Sequence, residues 1–150
     1  MIAVIQRVSS ASVEISGQRV ATIGRGFLVL LGVGNEDGEE DVQWLAQKVA
    51  NLRVFSDAQG QMNLGIQEVQ GDIIVVSQFT LHASTKKGNR PSFIQAAKPP
   101  VAIPLYEAFV AKLEEFTQKK VQTGEFGADM QVALVNDGPV TIIIDSKNKQ

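Results

Sequence analysis

The polar residues best placed to do chemistry follow an apolar run in the middle of the chain. Residues 72–76 are mostly β-branched, and the chain then becomes polar at Ser77, Gln78 and Thr80. The end of a rigid strand is a good place to fix hydroxyl groups and backbone N–H groups around a small ligand. Three basic residues follow, a neighbourhood that suits a phosphate-bearing substrate: Lys86, Lys87 and Arg90. From composition alone, a polar strand end and a solvated loop remain the more frequent explanation.

A second candidate lies near the C-terminal end, in Asn136-Asp137-Gly138-Pro139. The peptide bond before a proline adopts the cis form at modest cost, and a cis proline in a tight connection fixes the carbonyl groups beside it. Taken by itself, such a segment is more often a hairpin turn. A functional interpretation therefore needs support from outside these four residues.

The residue inventory argues against several common catalytic sites. The chain has no cysteine and a single histidine, His82. A transition-metal site would need carboxylates in place of the missing ligands, so we expect no metal. A Ser-His-Asp triad would have to use His82, although a lone histidine is more often structural. The glycines at 32 and 34 lack the third glycine of a dinucleotide fingerprint, because position 37 is Asp37, and we expect no cofactor.

Charge is distributed unevenly along the chain. The net charge of −2 predicts no general affinity for nucleic acid. Residues 34–72 nevertheless hold eight acidic and two basic residues, whereas residues 73–106 hold four basic residues and no acidic one. The acidic cluster at 36–41 is best interpreted as the solvated start of a helix. The acid-free segment is the part of the chain suited to an anionic partner.

Hydrophobic spacing predicts the elements that must position these segments. Strands are predicted from short apolar or β-branched runs at 2–8, 11–15, 19–23, 26–33, 53–55, 72–79, 130–135 and 140–145. Amphipathic helices are predicted at 39–52 and at about 104–120. The proline-rich stretch 82–104 is predicted to be a loop, and the polar tail 146–150 to be frayed.

This order of elements predicts the α+β class, with a mixed or mostly antiparallel sheet and two main helices. The length is that of one domain, so we predict a single domain over residues 1–150. The start of the chain does not have the pattern of a signal peptide, and the longest apolar runs are far shorter than the roughly 20 residues that span a bilayer. We therefore expect a cytoplasmic protein.

Two motifs match a known family. Ser77-Gln78-Phe79-Thr80-Leu81 resembles the SQFTL motif of D-aminoacyl-tRNA deacylases, and residues 136–141 resemble their NxGPVT motif. Three further segments are similar to the family: IQRVSSASVEI near the start, GNRPSF at 88–93 and TGEFGADMQV at 123–132. The resemblance runs from residue 1 to about residue 145, and both motifs are intact.

The resemblance implies a barrel-like deacylase fold and a homodimer with its sites near the subunit interface. It implies a hydrolase of translation proofreading that removes D-amino acids from tRNA. The residues that would line the pocket for the terminal adenosine and its aminoacyl ester are Ser77, Gln78, Phe79 and Thr80. Gly138 and Pro139, joined by a cis bond, would form a chiral filter that reaches into the partner's pocket, and Arg7 would support it.

The chemistry of an aminoacyl ester narrows the mechanism. An ester is already activated, so the protein needs to place a water and to stabilise an oxyanion, for which backbone N–H groups near Phe79 and Thr80 would serve. No side chain is an obvious general base, which favours assistance by the neighbouring ribose 2′-OH. The alternative is Thr80 as a nucleophile activated by His82, since residues 80 and 82 would share one face of a strand.

Steric and electrostatic arguments add two expectations. If two backbone carbonyls hold the α-amino group, an L side chain meets the backbone while a D side chain points to solvent. Glycine has no side chain to reject, so we expect hydrolysis of glycyl-tRNA as well. The tRNA itself should be bound weakly and in a salt-sensitive manner through its phosphates, by Lys86, Lys87 and Arg90.

Two other classes of function remain open at this point. A tRNA-binding module without catalysis would bind the same RNA and cleave nothing. A general esterase or peptidase would hydrolyse small D-amino acid derivatives without RNA, and the absence of a triad argues against it. A turnover assay separates these alternatives.

Overall fold

The computed structural model describes residues 1–150. It has eight strands: β1 (Ile2–Ile15), β2 (Gln18–Ile23), β3 (Gly26–Gly32), β4 (Arg53–Ser56), β5 (Met62–Gly65), β6 (Asp72–Ser77), β7 (Gln122–Thr123) and β8 (Gln131–Asp145). The two α-helices are α1 (Glu39–Asn51) and α2 (Pro99–Thr117). A short 3₁₀ helix spans Phe79–His82.

The main sheet is built around β1, the strand that runs through the middle of the fold. β1 pairs antiparallel with β2, β3 and β8, whereas β6 pairs in parallel with both β3 and β7. The side chain of Gln122 on β7 then reaches β2: its Oε1 accepts from the N–H of Thr22 at 2.8 Å, and its Nε2 donates to the carbonyl of Thr22 at 2.9 Å. The sheet therefore curls into a nearly closed barrel, which confirms the predicted mixed, barrel-like α+β fold.

Burial on both faces explains the unbroken apolar runs of β3 and β6. Alternate residues of a strand point to opposite faces of the sheet. On β3, Phe27 and Val29 join the larger apolar cluster, which includes both α-helices, while Leu28 joins a second cluster on the other face. On β6, Val75 and Ile74 divide in the same way. Strands covered on both sides have no polar face, so their sequences are continuously hydrophobic.

Helix α1 lies close to its predicted position, but the acidic residues around its start are only partly solvated. Asp41 accepts a hydrogen bond from the N–H of Gly38 at 2.9 Å and so caps the helix. Asp37 is 2% exposed and accepts from the N–H of Gly34 at 2.6 Å. The cluster does lie at the start of a helix, as predicted, but the prediction that it is solvated is wrong for Asp37 and Asp41, because these two carboxylates satisfy N–H groups that the turn leaves unpaired.

Helix α2 begins five residues earlier than predicted. Pro99 and Pro100 occupy the first helical positions, where no intrahelical N–H donor is needed. Pro104 lies inside the helix, and the buried side chains Phe109 and Leu113 hold its inner face against the core. In the sequence, these prolines indicated a loop. Proline is tolerated in the first turn of a helix, but the sequence pattern does not show that the first turn begins at Pro99. Neither α-helix has the length and the apolar character that crossing a membrane requires.

The C-terminal region also differs from its prediction. The two strands expected at 130–135 and 140–145 are one strand, β8, and both halves pair with β1 instead of with each other. The tail is not frayed at its start. Ser146 is buried and donates to Asp41 at 2.6 Å, and Lys147 donates to the same carboxylate at 3.1 Å. These contacts fasten the end of the sheet to the start of α1.

Candidate functional site

The first candidate segment lies at the end of β6. Ser77 pairs with Leu31 on β3, and the N–H of Gln78 donates to the carbonyl of Leu31 at 2.8 Å. The chain then enters the 3₁₀ helix, where the N–H groups of Phe79 and Thr80 come first and have no hydrogen-bond partner in the chain. Two unpaired N–H groups beside a rigid strand end are donors of the kind that stabilise a developing oxyanion.

Side chains of the same segment add an aromatic and a polar surface beside these donors. The ring of Phe79 is 54% exposed and meets Phe93 edge to face, with ring centroids 5.0 Å apart. The side-chain amide of Gln78 donates to the hydroxyl oxygen of Thr80. The structure thus brings Phe93, from the block at 88–93, to the segment that contains all four predicted pocket residues.

Thr80 and His82 do not form a nucleophile–base pair. They lie in a 3₁₀ helix rather than on a strand, and with three residues per turn, residues two apart point in different directions. The imidazole of His82 packs against Gly34, its Nε2 is buried without a partner, and no hydrogen bond joins it to Thr80. The expectation that residues 80 and 82 share a face is therefore wrong.

The second candidate segment is a loop extruded from β8. Gln6 pairs with Thr141 and Val8 pairs with Asn136, so one residue of β1, Arg7, faces the four residues 137–140. We call residues 137–140 the Gly-Pro loop. The bond between Gly138 and Pro139 is cis, as the resemblance implied, and Gly138 has φ of +139°.

Arg7 ties the Gly-Pro loop to the strand β4. Its Nε donates to the carbonyl of Asp137 at 2.9 Å, and its Nη1 donates to the carbonyl of Val54 at 2.6 Å. The Arg7 side chain is only 12% exposed. A guanidinium presents several donors in a fixed planar arrangement, so it holds the two carbonyls in one geometry. The structure therefore joins Arg7 directly to the Gly-Pro loop.

Gln6 also contacts the flanks of the Gly-Pro loop, although it is not among the residues predicted from the sequence. Its Oε1 accepts hydrogen bonds from Asn136 Nδ2 at 2.8 Å and from Thr141 Oγ1 at 2.6 Å. Asn136 in turn accepts from the N–H of Val140 at 3.2 Å. The pairing of β1 with β8 creates these contacts, and the only hint in the sequence is that Gln6 precedes Arg7.

The two candidate segments lie apart in a single chain. Ser77 pairs with Leu31, and Leu31 pairs with Ala3, so the end of β6 lies level with Ala3 on β1. The Gly-Pro loop lies level with Arg7, four residues farther along β1. At about 3.3 Å per residue this is an offset of about 13 Å along the strands, with the 3₁₀ helix beyond it. No hydrogen bond joins the two segments.

The predicted basic residues lie on an exposed loop just past the 3₁₀ helix. Ser84 and Ser92 exchange two backbone hydrogen bonds of 2.8 Å, which close residues 84–92 into a compact loop. We call residues 84–92 the basic loop. Lys86, Lys87 and Arg90 are all exposed on it. The loop is adjacent in the chain to the end of β6, which brings positive charge to that side of the molecule.

A buried tyrosine fixes the strand that carries the first segment. The hydroxyl of Tyr106 on α2 donates to the carbonyl of Val75 at 2.9 Å, two residues before Ser77. Burial raises the pKa of Tyr106 from 10 to about 12, so the hydroxyl remains a donor even in alkaline solution. No group of three or more histidine, cysteine, aspartate or glutamate residues is arranged to hold a metal ion.

Comparisons with known proteins agree on one family. The family model described as D-Tyr-tRNA(Tyr) deacylase matches residues 4–145. A protein of Cytophaga hutchinsonii named D-aminoacyl-tRNA deacylase is 63% identical over 150 residues, which cover 100% of both chains. A protein of the same name from Flavobacterium psychrophilum is 61% identical over 147 residues, which cover 98% of both.

Two solved structures have the same fold. One, described as c-Myc DNA Unwinding Element Binding Protein, superposes with a TM-score of 0.90 and 40% identity, over 97% of this chain and 98% of that one. The other is described as a probable eukaryotic D-amino acid tRNA deacylase. It has a TM-score of 0.82 at 16% identity over 95% and 97% of the two chains, a likeness that concerns the fold alone.

Proposed function

The chain belongs to the D-Tyr-tRNA(Tyr) deacylase family, and we propose that it hydrolyses the ester bond of D-aminoacyl-tRNA, releasing the D-amino acid and the tRNA. The observation that carries this proposal is the pair of unpaired N–H groups of Phe79 and Thr80 at the end of β6. An ester carbonyl bound there gains two preorganised donors as it becomes tetrahedral and negatively charged. Such a hydrolase acts in translation proofreading, and we expect it in the cytoplasm.

The proposed chemistry relies on the RNA for its base. The attacking water needs a proton acceptor, and none of the four residues 77–80 has a carboxylate or an imidazole to act as one. The 2′-OH of the terminal ribose adjoins the ester and both donates and accepts hydrogen bonds. Its oxygen accepts a proton from the attacking water as its own proton passes to the 3′-oxygen that leaves, so the C–O bond to the ribose breaks without a base from the protein. The two N–H groups hold the oxyanion, and the ring of Phe79 provides an apolar wall.

The rival mechanism, with Thr80 as the nucleophile, lacks an activating base. A threonine hydroxyl is a weak nucleophile unless a base lies within hydrogen-bonding distance. His82, the one histidine of the chain, packs against Gly34 instead. The arrangement of these two residues therefore favours the RNA-assisted route.

We further propose that the Gly-Pro loop filters the substrate of a second copy of the chain. The loop lies about 13 Å along the strands from the level of Ser77, too far to touch a small ligand bound there. In a two-fold dimer whose interface contains both surfaces, the loop of one copy would meet the strand end of the other, because the same patch is used on both subunits. Each site would then be made of two chains.

The outer strand β8 supports an interface between copies. It pairs with β1 along one edge only, and no strand of the chain covers its other edge. Val135 is 56% exposed and Ile143 is 69% exposed on this strand. A long strand with one open edge and exposed apolar side chains is unfavourable in a monomer and suits pairing with another chain. The proposed homodimer would cover this edge.

The filter acts through backbone atoms. The carbonyls beside Gly138 and Pro139 would hold the α-amino group, which leaves an L side chain facing the loop and a D side chain facing solvent. The side chain of the amino acid then matters little, and glycine passes because it presents no side chain. We therefore propose glycyl-tRNA as a second substrate.

The basic loop would contribute to holding the tRNA. Contacts with phosphate are independent of sequence and weaken as salt rises. Because the whole chain carries a net charge of −2, the attraction depends on the local cluster of Lys86, Lys87 and Arg90 and should be modest.

The test is the loss of ester from D-tyrosyl-, L-tyrosyl- and glycyl-tRNA, measured with purified protein in the presence of a chelator. We expect rapid loss of the D and glycyl esters and survival of the L ester. Equal loss of both tyrosyl esters would contradict the filter. Binding of tRNA without loss of any ester would favour the non-catalytic binding module, and hydrolysis of small D-amino acid esters without RNA would favour the general esterase.

A further inference from the structure

We propose that Gln6 is a positioning residue that sets the geometry of the Gly-Pro loop and thereby the discrimination between D and L substrates. This inference rests on the proposed function, because it assigns a part in the filter to a residue outside both motifs. Gln6 touches neither the Gly138-Pro139 pair nor the end of β6, and acts only through the flanks of the loop.

The contacts join the two ends of the loop at a single atom. Asn136 precedes the loop and Thr141 follows it, and both donate to Oε1 of Gln6, at 2.8 and 2.6 Å. The two donors also lie 3.4 Å from each other, between Asn136 Nδ2 and Thr141 Oγ1. An amide oxygen has two lone pairs, so it accepts both hydrogen bonds at once. One acceptor therefore fixes the width of the loop at its base.

Asn136 passes this constraint into the loop. While its Nδ2 donates to Gln6, its Oδ1 accepts from the N–H of Val140, the last residue of the loop, at 3.2 Å. A rotation of the Asn136 amide breaks both contacts together. The orientation that Gln6 imposes on Asn136 therefore fixes the end of the loop that follows Pro139.

Gln6 and Arg7 hold the loop from two sides. Adjacent residues of a strand point to opposite faces of the sheet, and the loop is extruded from β8 beside both of them. Arg7 holds the carbonyl of Asp137 at the beginning of the loop, while Gln6 holds its two flanks. This pair of residues fixes the position of the loop, and a shift of a fraction of an ångström in a carbonyl alters how a side chain fits against it.

The test compares Gln6→Met, which removes the acceptor at similar volume, with Gln6→Glu, which keeps it. The readout is the ratio of kcat/KM for D-tyrosyl- and L-tyrosyl-tRNA. We expect this ratio to fall roughly tenfold or more in Gln6→Met, as two hydrogen bonds to the loop are lost, with kcat for the D substrate changed by less than about threefold. Gln6→Glu should restore most of the ratio.

The matched control is Gln122→Met. Gln122 also uses its side-chain amide for two hydrogen bonds, at 2.8 and 2.9 Å to Thr22 on β2. Thr22 pairs with Ser12 of β1, six residues along that strand from Gln6 and away from the Gly-Pro loop. Gln122→Met should lower the stability by about as much as Gln6→Met does, and it should leave the D/L ratio unchanged. Backbone amide exchange gives a second readout, since the N–H of Val140 should exchange faster in Gln6→Met and at the wild-type rate in Gln122→Met.

The outcomes separate this inference from the proposed function. A wild-type protein that does not discriminate between D and L esters would overturn both. A wild-type protein that discriminates, with a Gln6→Met variant that discriminates equally well, would overturn the role of Gln6 alone. If Gln6→Met does not fold, Thr141→Val removes one of the two donors at equal shape, and an unchanged ratio in that variant would equally overturn the proposal.

Discussion

At the scale of single residues, Thr80 carries two groups with different expected parts. Its backbone N–H has no partner in the chain and is available to an oxyanion, whereas its hydroxyl already accepts a hydrogen bond from Gln78. Only the first group is needed if the RNA supplies the base. A substitution that removes the hydroxyl and keeps the backbone therefore distinguishes the two mechanisms.

We expect Thr80→Val to hydrolyse D-tyrosyl-tRNA with a kcat within roughly threefold of wild type, because the N–H donor is retained. Loss of a true nucleophile costs on the order of a thousandfold or more. Single-turnover deacylation measures the difference. Phe79→Pro serves as a positive control: proline fits the first position of the 3₁₀ helix but has no N–H, and loss of one oxyanion donor costs about a hundredfold.

Gly138 is the residue of the loop least able to accept a side chain. Its φ of +139° is rarely adopted by L residues, and an added Cβ would lie 2.8 Å from the backbone N of Val140 and 3.2 Å from Nη2 of Arg7. We expect Gly138→Ala to displace the loop at a cost of about 1–3 kcal/mol and to lower kcat/KM for D-tyrosyl-tRNA at least tenfold.

A matched control exists for this substitution. Gly127 also has a positive φ, +80°, but a Cβ there would meet nothing within 4 Å. Gly127→Ala should therefore cost stability without affecting deacylation. Equal activity of the two alanine variants in the same assay would mean that the loop does not take part in the reaction.

At the scale of elements, the contacts of Asp41 join α1 to the end of β8. Burial by itself would raise the pKa of this carboxyl, but hydrogen bonds from Ser146, from the N–H of Gly38 and from Lys147 outweigh it and lower the pKa from 3.8 to about 2. The folded state therefore favours the carboxylate. The stabilisation is complete above about pH 5, well above the unfolded-state pKa, and is lost progressively as the pH falls through 2.

We expect Asp41→Asn to lower the free energy of unfolding by about 1–2 kcal/mol at pH 7, through the loss of charge-assisted hydrogen bonds. The difference from wild type should shrink as the pH falls below 4 and become smallest below pH 2, where most of the wild-type carboxyl is protonated as well. Urea unfolding at a series of pH values measures it. A difference that stays constant over this range would mean that the ionisation of Asp41 does not contribute.

The basic loop is the element expected to contact the tRNA. We expect Lys86→Ala with Lys87→Ala to weaken tRNA binding and to reduce the slope of log K against log salt by about 1.5, the loss of two phosphate contacts. Filter binding at several salt concentrations measures both. The control is Lys48→Ala with Lys149→Ala, which removes the same amount of charge from another place, beside Trp44. This pair should leave the slope unchanged. The D/L ratio should not change in either pair.

At the scale of the whole molecule, a site made of two chains predicts complementation. Gly138→Ala damages the loop and Phe79→Pro damages the strand end, so each homodimer should be nearly inactive. In a mixed dimer, one of the two sites combines the intact loop with the intact strand end. Refolding the two variants together should recover about a quarter of the wild-type activity, because about half of the dimers are mixed and each has one good site.

Activity of the mixture no greater than the sum of the separate variants would contradict a site shared between chains. The control for refolding yield is each variant refolded together with the wild-type protein.

The sequence predicts those features of the molecule that depend on local pattern. The runs at 26–33 and 72–79 indicate strands because both faces are buried, and the spacing of Val42, Leu45 and Val49 indicates α1. Features that depend on register are not accessible in this way. The offset between Ser77 and the Gly-Pro loop, and the contacts of Gln6, follow from which residues of β1 pair with β3 and β8. The placement of Thr80 and His82 on one face is wrong because that prediction continues the strand to residue 82, whereas β6 ends at Ser77 and residues 79–82 form a 3₁₀ helix.

The closure of the barrel by Gln122 has a consequence for how the molecule opens. Between β7 and β2, one side chain replaces the ladder of backbone hydrogen bonds that joins the other strands. A rotation of the Gln122 side chain removes both hydrogen bonds between β7 and β2, and the packing of Ala21 and Ile23 in the second apolar cluster is then what holds β2 in place. Local opening of the native state should begin between β7 and β2. There β2 would separate first, while β1, β3 and β6 stay paired. The barrel can then widen without loss of the larger apolar cluster, which packs against the helices.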